Sequence, residues 1–314
     1  MPELGETVPI PLTGGAWDRD TERRTEAGLI DRLLAEPQTR VLELHGERFQ
    51  VFKDGEDGHP LGLVLRPPAP TDRSAGVPLY LGRDPEGVSH VAVLTPRPDG
   101  DVDPAWVNLR AVAADLSATS ATMAAAAVGV GNWHRTHQFC PRCGAATRPS
   151  HSGWVRQCVA DASLHFPRTD PAVIMAVVDS QDRLLLAQGS AFRERGMSVL
   201  AGFVEPGETF AAAVAREVAE EVGVKVTDVA YVADQPWPFP ASLMIGCTAR
   251  ALGETTLRPQ ADEILTARWF SRRELLDAVS NESVLLPGRV SISRHLIERW
   301  FAGPLPGPDW SLRR

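Results

Sequence analysis

Three groups of residues have types and spacings that could do chemistry. The first lies in Gly202 to Val224, GFVEPGETFAAAVAREVAEEVGV. Pro206-Gly207 reads as a turn, and the spacing predicts a helix from about Thr209 to Val222. At about 100° per residue, Glu217, Glu220 and Glu221 share one arc of that helix. Ala212, Val214, Ala215, Val218 and Val222 supply its apolar contacts. Three crowded carboxylates repel one another. Read plainly they are a solvated acidic face; read as chemistry they are a site for a hard divalent cation. Mg²⁺ and Mn²⁺ take oxygen ligands, from a few carboxylates plus substrate phosphate. Such an ion neutralises a diphosphate, polarises phosphorus and activates water. Glu217 and Glu221 are the expected metal ligands. Glu220 is either a third ligand or the base that orients water. Gly202 lets the backbone approach the metal, with the Ala201 carbonyl as a candidate ligand. Glu208 and Arg216 read as a structural pair that holds loop to helix.

The second group is Cys140-Pro141-Arg142-Cys143-Gly144, followed by Cys158 and then Asp161. Cys-x-x-Cys-Gly is a turn suited to tetrahedral thiolate coordination. A fourth Cys is expected three residues after Cys158, and Asp161 stands there instead. Either Cys₃Asp holds zinc, or this is a relic ribbon held by packing and the hydrogen bonds of Asp161. His151 and His165 are weaker substitutes. Cys247, in a predicted strand, reads as a small core residue. The third group is Gln235-Pro236-Trp237-Pro238-Phe239-Pro240-Ala241-Ser242. Three prolines rigidify this loop, so two aromatic faces can form a stacking platform for a flat ring such as a base. Gln235 and Ser242 are its polar contacts. The bland reading is a proline turn that packs the core.

The elements that must position these groups follow from pattern. Arg40 to Phe52 alternates around His45-Gly46-Glu47 like a hairpin, and 61–65, 77–81 and 88–94 are further strands. From Pro104 the period turns helical through Trp106, Leu109, Val112, Ala113 and Leu116. Ser117 or Ser120 caps a second helix running toward His137. No catalytic constellation lies in residues 1–131, which read as a structural or dimerising domain. Later, 172–178 and 184–187 form a hairpin. Residues 199–204, 226–232, 242–251 and 267–270 are strands, and 290–301 is an amphipathic closing helix. Strands with interleaved helices in this order give an α+β fold with a mixed sheet. The two β-rich halves could be distant copies.

The chain has 314 residues, 43% hydrophobic and 23% charged, which fits a packed protein of two domains. A net charge of −8 argues against a general nucleic-acid binder. It leaves open a polyanionic substrate held through a metal. No apolar run is long enough for a membrane span, and the acidic start is no signal peptide, so the expected location is cytoplasmic.

The first group matches G-x5-E-x7-R-E-U-x-E-E-x-G-U, with U aliphatic, at Gly202, Glu208, Arg216, Glu217, Val218, Glu220, Glu221, Gly223 and Val224. It resembles the Nudix box. The proline loop resembles the S-Q-P-W-P-F-P-x-S signature of the NADH pyrophosphatase branch of that family. Asp234 stands where the branch usually has Ser and puts a negative charge near the site. The branch also carries a four-Cys zinc ribbon between two domains. The resemblance spans 132–301, and more weakly the N-terminal part. It implies a Nudix α/β/α sandwich with a mixed sheet over 168–314, a zinc-ribbon-like segment over 132–167, and a β-rich N-terminal domain with a helical linker over 1–131. It implies that Glu263 completes the metal site and that Phe166 and Phe203 sandwich the nicotinamide. It also implies that Ser293 contacts substrate through its backbone. The implied activity is Mg²⁺- or Mn²⁺-dependent cleavage of NADH or NAD⁺ to nicotinamide mononucleotide and AMP, by a homodimer with structural Zn²⁺. Removal of NAD caps from RNA is a further implied substrate choice. The alternatives are a hydrolase of another nucleoside diphosphate such as ADP-ribose, or a non-catalytic nucleotide sensor.

Overall fold

The computed structural model describes residues 10–53, 60–96, 103–190, 192 and 194–308. Its contacts fall into two compact units. One holds Leu12–Thr169 together with Trp237–Ala241. The other holds Asp170–Pro236, the chain from Ser242 onward and the segment ending at Pro11. The contacts thus join the ribbon segment to the N-terminal part, and they assign the tip of the proline loop to that same unit.

The first unit begins with helix α1 (Leu29–Leu33) and the hairpin β1 (Arg40–His45) and β2 (Arg48–Lys53), closed at His45 and Arg48. Strand β3 (Leu61–Leu63), helix α2 (Asp72–Ala75) and strands β4 (Val77–Arg83) and β5 (Ser89–Thr95) follow. The sheet runs β3-β2-β1-β5-β4, with β1 and β5 parallel. Its buried Val41, Tyr80, Val91 and Val93 pack against Leu29 and Leu33 of α1.

The helix expected from Pro104 is not what forms. Residues Trp106–Asn108 are a strand, β6, paired with β2. The Trp106 ring stacks on His45 at 3.9 Å, and the Arg48 guanidinium donates to the Trp106 carbonyl. A free strand edge offers these residues a ladder that local helical period cannot reveal. Helical structure starts only at α3 (Leu109–Val112), capped by Asn108. Helix α4 (Ala118–Thr136) is capped by Ser117, which accepts from the Ser120 amide. A small sheet of β7 (Thr147–Ser150), β8 (Val155–Cys158) and β9 (Leu164–His165) then forms the ribbon.

The second unit is a mixed sheet between two apolar layers. Strands β10 (Asp170–Val178) and β11 (Leu184–Gly189) form the expected hairpin, and β12 (Leu200–Phe203) pairs antiparallel with β10. Helix α5 (Phe210–Val222) precedes the long strands β13 (Lys225–Trp237) and β14 (Ser242–Leu252) and the strand β15 (Ile264–Phe270). The order is β13-β14-β10-β11-β15, with β10 and β14 parallel. One face packs Ala213, Val214, Val218 and Val222 of α5 on Val173, Met175 and Val177. The other packs α6 (Arg272–Ser280) and α7 (Ile292–Phe301) on Ile174, Ala176, Leu184 and Leu186. Alternate residues of β10 thus serve opposite layers, as pleating requires. This is the α/β/α sandwich expected over this part of the chain. Both large sheets centre on a parallel pair, each of whose strands also pairs with a flanking strand, so the two β-rich halves share that core order.

Helix α6 was not read from the sequence, although its signal is present. Ser271 and Glu274 form a complete capping box, the S-x-x-E pattern of a helix start. Among the described residues no helix is long and apolar enough to cross a membrane.

Candidate active site

Local sequence sets the carboxylate-bearing helix in place. Thr209 caps α5 by accepting from the Ala212 amide, and Gly223 ends it with φ of 73°. That left-handed conformation suits glycine, which has no Cβ to clash. The helix packs over β12, and Gly202 in β12 lies under Glu217. A Cβ at Gly202 would sit 1.9 Å from Glu217 Cδ. Only glycine leaves room for that carboxylate against the strand. The neighbouring Ala201 pairs with Ile174.

Arg216 organises the acidic face. Its Nε and Nη2 donate to both Glu208 oxygens at 3.0 and 2.9 Å. Nη2 also donates to the Phe203 carbonyl at 2.9 Å. Nη1 donates to Glu217 at 2.9 Å and to Glu220 at 3.0 Å. The expected pairing with Glu208 is therefore one part of a wider clamp that ties the loop, β12 and two of the three helix carboxylates together. Glu208 is held below its ordinary value, chiefly by Arg216.

Glu221 lies outside that clamp. It is only 6% exposed, and its Oε2 is buried with no hydrogen-bond partner. Burial pushes its carboxyl up from 4.5 to about 8, with Glu217, Glu263 and Glu220 adding repulsion. Glu217 is also raised, first by burial, although Arg216 opposes the shift. Glu263 reaches this cluster because its loop is tied to the end of α5. The Gln260 amide donates to the Glu221 carbonyl, the Arg258 amide to the Val222 carbonyl, and the Glu263 amide to the Gln260 carbonyl. Orphaned buried oxygen and mutually repelling carboxylates suit a hard cation and oppose an apolar neighbour.

The residues expected to select substrate separate into distinct roles. Gln235 is fully buried, and its side chain is committed to the main chain. It donates to the carbonyls of Pro11 and Val290 and accepts from the Ile292 amide. It lies with Pro236 and Trp237 at the end of β13, not in a loop. Pro236 is tolerated there because β13 is the sheet edge. Only Pro238, Phe239, Pro240 and Ala241 make the turn, before Ser242 pairs with Asp170. The Asn132 amide of α4 donates to the carbonyls of Pro238 and Pro240, at 2.9 and 3.2 Å. The Trp237 and Phe239 rings meet edge to face at 5.1 Å. The Arg110 guanidinium lies 5.1 Å from the Trp237 ring centre and 5.2 Å from that of Phe239. Asp234 accepts a hydrogen bond from the Tyr231 hydroxyl. Phe203 and Phe166 are exposed, at 60% and 66%. Ser293 is buried; its hydroxyl meets that of Ser198 at 2.7 Å, and its amide donates to Ser291.

In the ribbon, one ligand atom from each of Cys140, Cys143, Cys158 and Asp161 lies within 4.8 Å of the others. The Cys143 and Cys158 sulfurs are 3.6 Å apart. Tetrahedral Zn–S bonds of about 2.3 Å put neighbouring sulfurs about 3.8 Å apart. The four-residue set therefore fits zinc. Burial raises the Cys140 thiol, but the amides of Arg142 and Cys143 outweigh it and bring it to about 6. The Ser163 hydroxyl and amide hold Asp161 at about 2. His165 instead meets Ser163, and His151 meets Ser150.

Residues 168–288 match the family model described as the NUDIX domain, over the sheet and helix that carry the carboxylates. Residues 135–166 match the NADH pyrophosphatase zinc ribbon domain. The chain belongs to the Nudix hydrolase family. A Mycobacterium bovis protein named NAD-capped RNA hydrolase NudC is 42% identical over 236 residues, covering 71% of this chain and 75% of its own. A Mycobacterium tuberculosis protein of the same name is 41% identical over the same shares. The human NAD-capped RNA hydrolase NUDT12 is 42% identical over 59% of this chain and 43% of its own. Family membership makes this a divalent-metal-dependent hydrolase fold with a zinc ribbon.

Two residues of this Nudix chain escaped the sequence reading. Arg110 and Asn132 meet the proline loop from far upstream; Asn132 and Pro238 are 106 positions apart. No local pattern marks such a contact.

The crowding around Glu221 makes a pH-dependent prediction. Its folded carboxyl titrates near 8, against an ordinary 4.5. Without a divalent ion, the stability it contributes is full below about pH 4.5 and is lost as pH rises through about 8. A cation that binds the ionised form restores it. The rise in Tm on adding Mg²⁺ should therefore grow between pH 5 and pH 8, and Glu221→Gln should flatten that trend. An equal Mg²⁺ shift at every pH in both proteins would refute the assignment.

Proposed function

We propose that this protein hydrolyses the pyrophosphate of NADH and NAD⁺ to nicotinamide mononucleotide and AMP, and removes NAD caps from RNA 5′ ends. The observation that carries this reading is the buried, unpartnered Glu221 oxygen among Glu217, Glu220 and Glu263. Relatives named NAD-capped RNA hydrolase support the substrate class.

Glu217, Glu221 and Glu263, with the Ala201 carbonyl, would hold Mg²⁺ or Mn²⁺. When bound, the ion supplies charge neutralisation at the diphosphate and an acidified water. Arg216 holds Glu217 and Glu220 in position through Nη1, and Gly202 gives the Glu217 carboxylate its space. Glu220 is the most exposed of the three helix carboxylates, at 56% for its side chain, and takes the role of orienting water. Trp237 and Phe239 read a flat ring of the dinucleotide, and Arg110 adds a cation beside them. Phe166 and Phe203 supply further exposed aromatic surface for the nicotinamide. Gln235, Pro236, Pro238, Pro240, Ala241 and Ser242 shape this loop, and Ser293 contacts the substrate through its backbone. A homodimer is the assembly we expect, and the cytoplasm the location. The intact acidic cluster favours catalysis over a sensor that only binds nucleotide.

Stacking a base on an aromatic face is worth about 1–3 kcal/mol, so losing one ring costs roughly 5- to 150-fold. Trp237→Ala should therefore lower kcat/KM for NADH by that factor while ADP-ribose, which lacks nicotinamide, suffers less. Products from NADH, ADP-ribose and NAD-capped RNA, measured in parallel, read this directly. Equal losses on NADH and ADP-ribose in a folded variant would reduce the loop to scaffolding.

For the ribbon, elemental analysis of purified protein should find about one zinc per chain, lost in Cys140→Ser. Protein purified without zinc, whose folding Cys140→Ser leaves unchanged, would establish the relic reading.

A further inference from the structure

The first unit contains a cavity of about 690 Å³ that the proposed reaction does not use. It is lined by Ala75, Val77, Leu94 and Pro149 on its apolar side, and by Arg156, His134, Arg135 and Gln138 on its polar side. Arg156 is the unusual member. It lies on β8 at 6% exposure, and among the described residues no carboxylate pairs with it. Its Nε donates to the Thr147 hydroxyl at 2.6 Å, and Nη2 donates to the Thr147 carbonyl at 2.8 Å. Nη1 donates to His134 Nδ1 at 3.0 Å. His134 Nε2 faces the Gly153 carbonyl at 2.7 Å. A carbonyl only accepts and a guanidinium only donates. His134 is therefore the neutral tautomer with its proton on Nε2, and it neither offsets nor adds to the charge.

A guanidinium has five N–H donors, and these contacts use three of them. The result is a buried cation, with donors to spare, at the wall of a mostly apolar cavity. Burying an unpaired charge is costly, and an arginine fork is matched by carboxylate or phosphate oxygens. Arg135 is balanced by Glu47 at 3.1 Å, so its charge is spent locally. The exposed Gln138 offers an uncharged amide at the same cavity.

We propose that this cavity binds a small organic anion, with an oxyanion head on Arg156 and an apolar body against Val77, Leu94 and Pro149. The site is separate from the acidic cluster of α5 and does not rest on the NAD reading.

The test is calorimetry on the full zinc-loaded chain without added Mg²⁺ or Mn²⁺, using phenyl phosphate, benzoate and neutral benzyl alcohol as probes. At least one of the two anions should bind saturably at one site per chain, and the alcohol at least tenfold more weakly. Arg156→Gln should abolish anion binding. Because that variant removes a buried side chain, Gln138→Glu provides the second arm: it adds a negative charge at an exposed position and should weaken the anion at least tenfold in a fully folded protein. A phosphate-only or benzoate-only response identifies the head group. No saturable anion binding, equal binding of the alcohol, or undiminished affinity in Gln138→Glu would overturn the proposal.

Discussion

The buried carboxylate of Glu221 is the constraint around which the catalytic unit is arranged. An ionised oxygen with no donor costs free energy that packing alone does not recover. The rest of the acidic cluster makes this worse, since Glu217, Glu220 and Glu263 all raise its proton affinity. The fold accepts that cost on the buried face of α5. Val214, Val218 and Val222 anchor α5 in the core, while Glu221 shares their buried side. On the proposed reading, a divalent ion would turn the same arrangement from a liability into a binding site, and activity and local stability would be linked through one charge.

Arg216 and Gly202 show how the cluster is kept from dispersing. Arg216 reaches Glu208, the Phe203 carbonyl, Glu217 and Glu220 at once, so loop, strand and helix cannot drift separately. Its single cation partly offsets the acids without entering the buried position of Glu221. Gly202 supplies space where any side chain would displace Glu217. These residues position carboxylates and need not touch substrate.

What could be read in the sequence was what depends on near neighbours. The helix expected from about Thr209 to Val222 after the Pro206-Gly207 turn forms over Phe210–Val222, and the Cys₃Asp group follows from the spacing of Cys140, Cys143, Cys158 and Asp161. What could not be read depended on distant partners. Trp106 lies on a helical period, yet the edge of β2 draws it into a strand. Gln235 looks like a polar contact in a loop, yet Pro11, Val290 and Ile292 occupy its whole side chain. Arg110 and Asn132 carry no mark of their place beside the proline loop. Helix α6 is a different case, because the Ser271–Glu274 capping box was local and legible.

A divalent ion at the orphaned Glu221 oxygen can be seen directly. Anomalous diffraction at the manganese edge, from crystals grown with Mn²⁺, tests it most directly. The expected result is a peak within about 2.3 Å of carboxylate oxygens of Glu217 and Glu221, a distance set by hard oxygen coordination. A peak found only elsewhere, with Glu221 still unliganded at saturating Mn²⁺, would contradict it.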